Sequence, residues 1–176
     1  MTKKASLAPV VSRRVSTPLG SLFLAAAPAG LVSASFNQHR LSKQQANSRA
    51  SQTKKALRVL DTASSCIKEY FRGSLTSLKE VSVQPQGTPF QLRVWQRMRK
   101  IKAGNTISYS ELARATGHLR AARAAGAACK ANPLALFIPC HRVIGKDQRL
   151  TGYSAGLMRK AYLLNHERTG FDSLIR

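Results

Sequence analysis

The run Ile138-Pro139-Cys140-His141-Arg142-Val143 is where this sequence concentrates its chemistry. The attacking species in cysteine chemistry is the thiolate, and a free cysteine ionises only near pH ~8.5. A neighbouring base or cation enriches the thiolate at neutral pH, so Cys140 beside His141 reads as a nucleophile with its activator. Adjacency constrains how the two cooperate. Neighbouring side chains of an extended chain point to opposite faces, so His141 is expected to reach the sulfur through a bridging water. The plainer alternative is a core cysteine that happens to precede a histidine, and the pair alone does not choose between them. Metal binding fits poorly, because Cys66, Cys129 and Cys140 show no zinc-ligand spacing with His39, His118, His141 or His166.

The elements that position this run can be read outward from it. Upstream, Leu134 to Ile138 is an apolar approach, preceded by the break Asn132-Pro133. Before that break, RAARAAGAACKA (120–131) reads as a helix in which almost nothing but the basic residues is larger than Ala. The turn Gly117-His118 separates it from a shorter helix, Tyr109 to about Thr116, opened by the capping-box pattern Ser108-Tyr-Ser-Glu111. Two helices across a short glycine-containing turn point to a helix-turn-helix. A third helix begins at Thr88-Pro89, with Thr88 as N-cap, runs through Phe90, Val94, Trp95 and Met98, and stops at Ala103-Gly104-Asn105.

The N-terminal half has a different texture. Residues 10–36 alternate as strands, with Pro28-Ala29-Gly30 as a turn, which predicts a β-meander. The apolar run Leu22 to Ala27 faintly resembles a signal peptide after Lys3, Lys4, Arg13 and Arg14. Pro18 and Gly20 interrupt the approach, however, and the run is read as a strand. Residues 37–55 are polar and are read as a long solvated loop. From Lys55 a helical period takes over, with Leu57, Leu60, Ile67, Tyr70 and Phe71 on one stripe, Cys66 as a small structural residue, and Gly73 as the stop. The alternating stretch Leu78 to Val83 is expected to return a strand to the first sheet. Gln84-Pro-Gln-Gly87 then marks the boundary between a domain of residues 1–86 and one of residues 87–176. The fold class is α/β of the α+β kind.

Charge narrows the function. Lys and Arg number 29 against 7 Asp and Glu, a formal net charge of +22, which predicts attraction to a polyanion. No stretch approaches the ~20 apolar residues of a membrane span. Three cysteines without a CxxC pair argue against a disulfide-stapled secreted domain and for a reducing, intracellular compartment. Small side chains let a helix approach a surface closely, and Arg120, Arg123 and Lys130 are placed to meet phosphates beside the small Ala124. The alternative is an Ala-rich core helix.

Taken together, the motifs resemble the O6-alkylguanine-DNA alkyltransferase family. AsnPro (132–133), IPCHRVIG (138–145), LTGYSAG (150–156) and KAYLLNHE (160–167) carry the resemblance. GTPFQLRVW (87–95), ISYSELA (107–113) and AARAAGAA (121–128) extend it, so that residues 87–167 agree nearly without gaps. STPLGSLFLAA (16–26) and EYFRG (69–73) carry it weakly into the N-terminal half. The resemblance implies an RNase H-like N-terminal domain with one helix, packed on a mostly helical, winged-helix-like domain. It implies Cys140 as alkyl acceptor, His141 as base through water, Glu167 orienting His141, and Asn132 bracing the turn. Tyr109 would give a proton to the departing guanine. Ser154, beside Tyr153, would contact guanine O6, and the carbonyls of Cys140 and Val143 would read its exocyclic amine. Arg123 would fill the space left by the extruded nucleotide. The implied partner is double-stranded DNA containing O6-alkylguanine, bound by a monomer and compatible with cooperative loading.

Two departures from the family stand out. Some relatives carry an N-terminal zinc site, but Cys66 and His39 are too few for one, so neither zinc nor any other cofactor is expected. Where relatives often have a second proline after AsnPro, this chain has Ala135 and Leu136. Alkyltransferase-like relatives that only bind lesions lack the acceptor cysteine, which is present here. Two readings from other classes remain beside repair: a non-catalytic helix-turn-helix DNA-binding protein with a structural Cys140, and a Cys-His thiol hydrolase. The joint presence of Tyr109, Asn132, Cys140, His141 and Glu167 weighs against the first, and the basic charge weighs against the second.

Overall fold

Strand-period alternation in residues 11–35 builds three antiparallel strands, β1 (Val11–Thr17), β2 (Gly20–Ala27) and β3 (Gly30–Ser35), in the order β1-β2-β3. Each hairpin turns on two residues, Pro18-Leu19 and Pro28-Ala29. The expected meander is present, and the signal-like apolar run is the buried part of β2. These features come from a computed structural model that describes residues 10–37, 50–117, 121–147 and 149–169.

Helix α1 (Ala50–Phe71) covers one face of this sheet. It starts earlier than its apolar period, because residues 50–55 carry no apolar stripe to announce it. Its buried face is Ala56, Leu60, Ala63, Ile67 and Tyr70, each with no exposed surface, whereas Leu57 is 40% exposed and off the stripe. The remainder of the expected polar loop, 38–49, lies outside the described residues.

The strand expected over residues 78–83 does not form. Ser77–Glu80 make a 3-10 turn instead, and only Val83 pairs with the sheet, through a single parallel bridge to Leu31. The reason is local: the Ser77 hydroxyl donates to the Cys66 carbonyl of α1 at 2.8 Å, which anchors the segment to the helix before it can extend. Beyond that anchor, Leu31 N–H donates to Ser82 O and Gln84 N–H to Leu31 O, both at 2.8 Å. A Cβ on Gly30 would come within 2.8 Å of the Ser82 carbonyl, so this approach requires glycine.

Residues 84–88 lead into α2 (Pro89–Arg99), opened by a capping box: Thr88 Oγ1 accepts from Gln91 N–H, and Gln91 Oε1 accepts from Thr88 N–H. The helix ends at Arg99, ahead of the expected 103–105 stop, and Gly104 takes a left-handed turn with φ 79° further on. Trp95 is pinned by its indole N–H, which donates to the Ala128 carbonyl at 2.9 Å. A Cβ on Gly87 would sit 2.6 Å from the Trp95 ring, which accounts for glycine at that joint.

Next come β4 (Ile107–Ser108), α3 (Tyr109–Ala115), α4 (Ala122–Lys130), β5 (Val143–Ile144) and α5 (Leu157–Thr169). The predicted capping box at Ser108 and Glu111 opens α3. Helices α3 and α4 pack against each other, as a helix-turn-helix requires, and residues 118–120 of the joint lie outside the described residues. Strand β4 pairs in parallel with β5, Ile107 opposite Val143. One buried cluster runs from Val15 of β1 through Leu60, Trp95 and Ile138 to Leu163 of α5. No helix among the described residues is long and apolar enough to cross a membrane.

Truncating Ile67 to Ala removes a fully buried side chain from the sheet–helix interface. The substitution is expected to cost about 2–5 kcal/mol, seen as a lower urea midpoint with an unchanged slope.

Candidate active site

Cys140 is placed by its backbone approach. Ala34 N–H donates to Pro133 O and Ala135 N–H donates to Ala34 O, both at 2.8 Å, so residues 133–135 are stitched to the edge of β3. A proline at position 135 could not make the second bond. Leu136 then turns through a left-handed conformation (φ 70°) while staying buried. Pro139, at φ −78° and ψ 69°, is the centre of an inverse γ-turn closed by Cys140 N–H on Ile138 O at 2.8 Å.

From there Cys140–Arg142 form a 3-10 turn rather than the extended segment expected. Successive side chains of such a turn diverge by roughly 120°. His141 is thereby directed to Glu167, and its Nδ1 has no hydrogen-bond partner among the described residues. Asn132 binds the turn together: its Nδ2 donates to Ile138 O at 2.8 Å and to Cys140 Sγ at 3.2 Å, while its Oδ1 accepts from Leu134 N–H at 3.0 Å.

Glu167 is the electrostatic centre. Its Oε1 accepts from Tyr70 Oη–H (2.7 Å), Arg142 Nη2 (2.7 Å) and His141 Nε2 (2.9 Å), and its Oε2 from Arg142 Nε (2.8 Å) and Gly104 N–H (3.3 Å). Arg142 also donates from Nη1 to Ile101 O at 2.6 Å. Burial works against the charged carboxylate, but the hydrogen bonds and charges of His141 and Arg142 overcome it and hold the acid well below its ordinary range. Because Glu167 is ionised, His141 donates through Nε2–H and keeps the Nδ1 lone pair open. Burial lowers the His141 pKa despite the carboxylate, so the ring is neutral and basic at Nδ1. Burial raises the Tyr70 pKa, keeping that hydroxyl a donor.

A cavity of about 420 Å³ opens on Cys140, walled by Tyr109, Gly126, Cys129, Gly152, Tyr153 and Ser154. Tyr109 comes from the first turn of α3 and Gly126 from the middle of α4, so both helices of the motif form its rim. Tyr109 Oη–H faces the carbonyls of Thr151 and Gly152 at 3.2 and 3.3 Å, and burial raises its pKa so that it stays protonated. The Tyr153 hydroxyl is buried without a partner among the described residues, and burial pushes its pKa far up. Ser154 is exposed at the mouth. Burial pushes the Cys129 thiol up to about 12, which leaves it inert beside Cys140.

The predicted site residues Tyr109, Cys140, Tyr153 and Ser154 thus share one cavity, with Asn132 on the sulfur and His141 and Glu167 behind it. Val143 is fully buried in β5, and its carbonyl already accepts from Lys160 Nζ at 2.6 Å. On the outer face of α4, Arg123, Ala124 and Lys130 are exposed. Arg120 lies outside the described residues.

Three supporting residues escaped the sequence reading. Lys160 has no exposed surface, and its Nζ ties Val143 O to Thr151 O, at 2.6 and 2.7 Å, across the floor of the site. Burial lowers its pKa. Its signal was present, since Lys160, Leu163, Leu164 and Glu167 recur at helical spacing on one face. Arg142 was equally visible, as a charge inside an apolar run. Nothing in the sequence signalled that Tyr70 reaches Glu167.

Fold and site together define a class: a protein with a buried cysteine thiol opening on a cavity beneath a helix-turn-helix. A sequence profile of the 6-O-methylguanine DNA methyltransferase DNA-binding domain matches residues 89–169. The methylated-DNA–protein-cysteine methyltransferase of Salmonella typhimurium is 48% identical over 99 residues, 56% of this chain and 58% of that protein. The matched stretch therefore spans less than two thirds of that relative. The corresponding protein of Methanosarcina acetivorans is 45% identical over 105 residues, 60% of this chain and 67% of that one. Among solved structures, Mycobacterium tuberculosis OGT in complex with DNA superposes with a TM-score of 0.72 at 36% identity, covering 89% of this chain and 92% of that one. The chain belongs to the 6-O-methylguanine DNA methyltransferase family.

The ionic cluster fixes how stability responds to acid. Folded His141 binds a proton more weakly than the unfolded residue, and folded Glu167 likewise, so the unfolded chain takes up more protons on the acid side. Stability is expected to be full above about pH 6.5 and to fall as pH drops, first through His141 and then through Glu167. Glu167→Gln strands Arg142 as a buried charge and is expected to cost about 3–5 kcal/mol at pH 7, measured by urea unfolding.

Proposed function

We propose that this protein repairs DNA by moving an alkyl group from O6 of guanine onto its own Cys140, once per molecule. One observation carries the reading: the Cys140 thiol lies at the floor of a cavity rimmed by both helices of the helix-turn-helix. A base can enter that cavity only by leaving the duplex, which costs a few kcal/mol and least for a poorly paired, damaged base.

The chemistry follows from the groups in place. The neutral His141, with its Nδ1 lone pair free, draws the thiol proton through one water, and Glu167 stabilises the imidazolium formed. The thiolate, held by the Asn132 amide, attacks the alkyl carbon in line. The C–O6 bond breaks and its electron pair leaves with guanine, which takes a proton from Tyr109. The proton lost by the thiol is in balance the one gained by guanine, and nothing is oxidised or reduced. The product is a thioether, a bond that none of the described residues is placed to cleave, so the molecule reacts once.

Recognition is divided among named groups. Ser154 meets guanine O6 with Tyr153 beside it, and the carbonyls of Cys140 and Val143 meet its exocyclic amine, the latter through the lone pair that Lys160 leaves open. Arg123 takes the extruded nucleotide's place, Arg120 and Lys130 meet phosphates, and Ala124 lets α4 approach closely in a groove whose sequence readout is degenerate. The duplex partner is bound by a monomer inside the cell. The architecture assigned to this activity is an RNase H-like domain up to residue 86 and a winged-helix-like domain from residue 87.

Intact-mass spectrometry after incubation with a duplex carrying one O6-methylguanine should show one added methyl per molecule, on Cys140. No gain with DNA still bound leaves a lesion sensor or plain DNA-binding protein instead. Cys140→Ala should abolish transfer and leave duplex affinity within about twofold, since the phosphate contacts that dominate affinity are untouched. Arg123→Ala should slow transfer from duplex at least about tenfold more than transfer from free O6-benzylguanine; equal slowing on both removes the extrusion role.

A further inference from the structure

Tyr70 enters the site from the other half of the chain. It lies one residue before the end of α1, and no part of it is exposed. Its hydroxyl donates to Glu167 Oε1 at 2.7 Å. The same oxygen accepts from Arg142 Nη2 at 2.7 Å and from His141 Nε2 at 2.9 Å. The Tyr70 ring is fixed edge-on against Phe71 and His166, with centroids 5.1 Å away in each case. His166 Nε2–H donates to the Tyr70 carbonyl at 2.8 Å, so ring and backbone are both held. Burial and the neighbouring carboxylate keep the phenol protonated.

A carboxylate oxygen offers two lone pairs, and here three donors share one such oxygen. His141 makes the longest of the three contacts. Each donor on Oε1 draws charge from it and leaves less for the imidazole. The titratable and charged groups around this arrangement are Glu167, Lys160 and His166 from α5, Arg142 and Cys140 from the 3-10 turn, and Tyr153 from the loop before α5. Ile101 and Gly104, after α2, bring only backbone. Removing Arg142 would leave the buried carboxylate without its cation. The Tyr70 hydroxyl is the donor that can be removed without changing any charge.

Resting on the assignment of His141 as base under Proposed function, we propose that Tyr70 is a positioning residue for the transfer step. By sharing Oε1 it limits the hold of the carboxylate on the imidazole, so that His141 rests neutral and is free to accept the thiol proton. Without that bond, Oε1 would turn more of its charge to His141 and stabilise the imidazolium before the thiol has given up its proton. The step keeps its balance: the thiol proton passes through one water to Nδ1, Nε2–H stays on Glu167, and Tyr70 keeps its own hydrogen throughout. The N-terminal half would then act on the chemistry as well as on the packing.

The experiment uses Tyr70→Phe, which removes the hydroxyl and keeps the ring. Two curves are measured: the pH titration of His141 by NMR of ring-labelled histidine, and the single-turnover rate of methyl transfer against pH at saturating duplex. In Tyr70→Phe the His141 midpoint should rise by at least about half a pH unit, because one competitor for the carboxylate is gone. The acid-side fall of the rate should move up by the same amount. Ser77→Ala, which frees the same helix from its Ser77 bond without touching Glu167, should lower the thermal midpoint and leave both curves in place. Tyr70→Phe that loses stability with both curves unmoved, or moved to lower pH, overturns the assignment and leaves a packing role alone. A further test needs no variant. In the unaltered protein the Tyr70 Cζ resonance should follow the His141 titration, since protonating the ring pulls Oε1 away from the phenol. A Tyr70 signal that stays flat through that titration also overturns the assignment. Absence of methyl transfer in the unaltered protein is a separate outcome: it defeats the repair reading, while the NMR titration still reads the effect of Tyr70 on His141.

Discussion

The elements packed around the Cys140 turn are held together by one buried carboxylate. Glu167, on α5, collects five hydrogen bonds from three other parts of the chain: Tyr70 of α1, Gly104 after α2, and His141 and Arg142 of the 3-10 turn. A charge taken out of water is costly unless it is paired and its lone pairs are satisfied, and here both conditions are met. Arg142 neutralises it, while burial, with a smaller push from the charges of Arg142 and Lys160, lowers the His141 pKa against the pull of the carboxylate. The cluster therefore sets the tautomer of His141 as well as the packing of the elements that carry it.

The same scarcity of acids shapes the exterior. Of 7 Asp and Glu in the chain, Glu167 is consumed inside, Glu111 closes a capping box, and Asp61, Glu69 and Asp147 pair with Arg13, Arg72 and Arg149. Few acids remain to offset 29 basic residues, so the outer field is positive over a long range. Attraction to a polyanion and quiet chemistry in the interior are thus obtained from separate groups. Inside, the cations of Lys160 and Arg142 are buried, the first against the carbonyls of Val143 and Thr151 and the second against Glu167.

The sequence was most legible where local rules act. Strand alternation, the two capping boxes and the helical stripes of α2 and α3 depend on neighbours a few residues apart, and they appear where those neighbours put them. The start of α1 was not legible, because a helix whose first turns face solvent has no apolar period. Leu78–Val83 alternates like a strand, yet a single side-chain bond from Ser77 to α1 decides otherwise, and no pattern within those six residues encodes it. In the site, residue types and order brought Cys140, Tyr109, Tyr153 and Ser154 to one cavity. The extended geometry inferred for Cys140-His141 failed because Pro139 imposes a γ-turn whose tightness carries on into the next residues.

The hydrogen bonds of Ala34 with Pro133 and Ala135, and that of Tyr70 with Glu167, reach the site from residues outside the 89–169 stretch that the family profile captures. The stretch captured by that profile is therefore smaller than the part that positions the site. A graft of residues 89–169 onto a foreign N-terminus would carry Tyr109, Asn132, Cys140, His141 and Glu167 and lack the edge strand and phenol that hold them. One backbone edge and one tyrosine are the points at which the N-terminal half bonds to the site directly, which is how a half with weak family resemblance can still be indispensable.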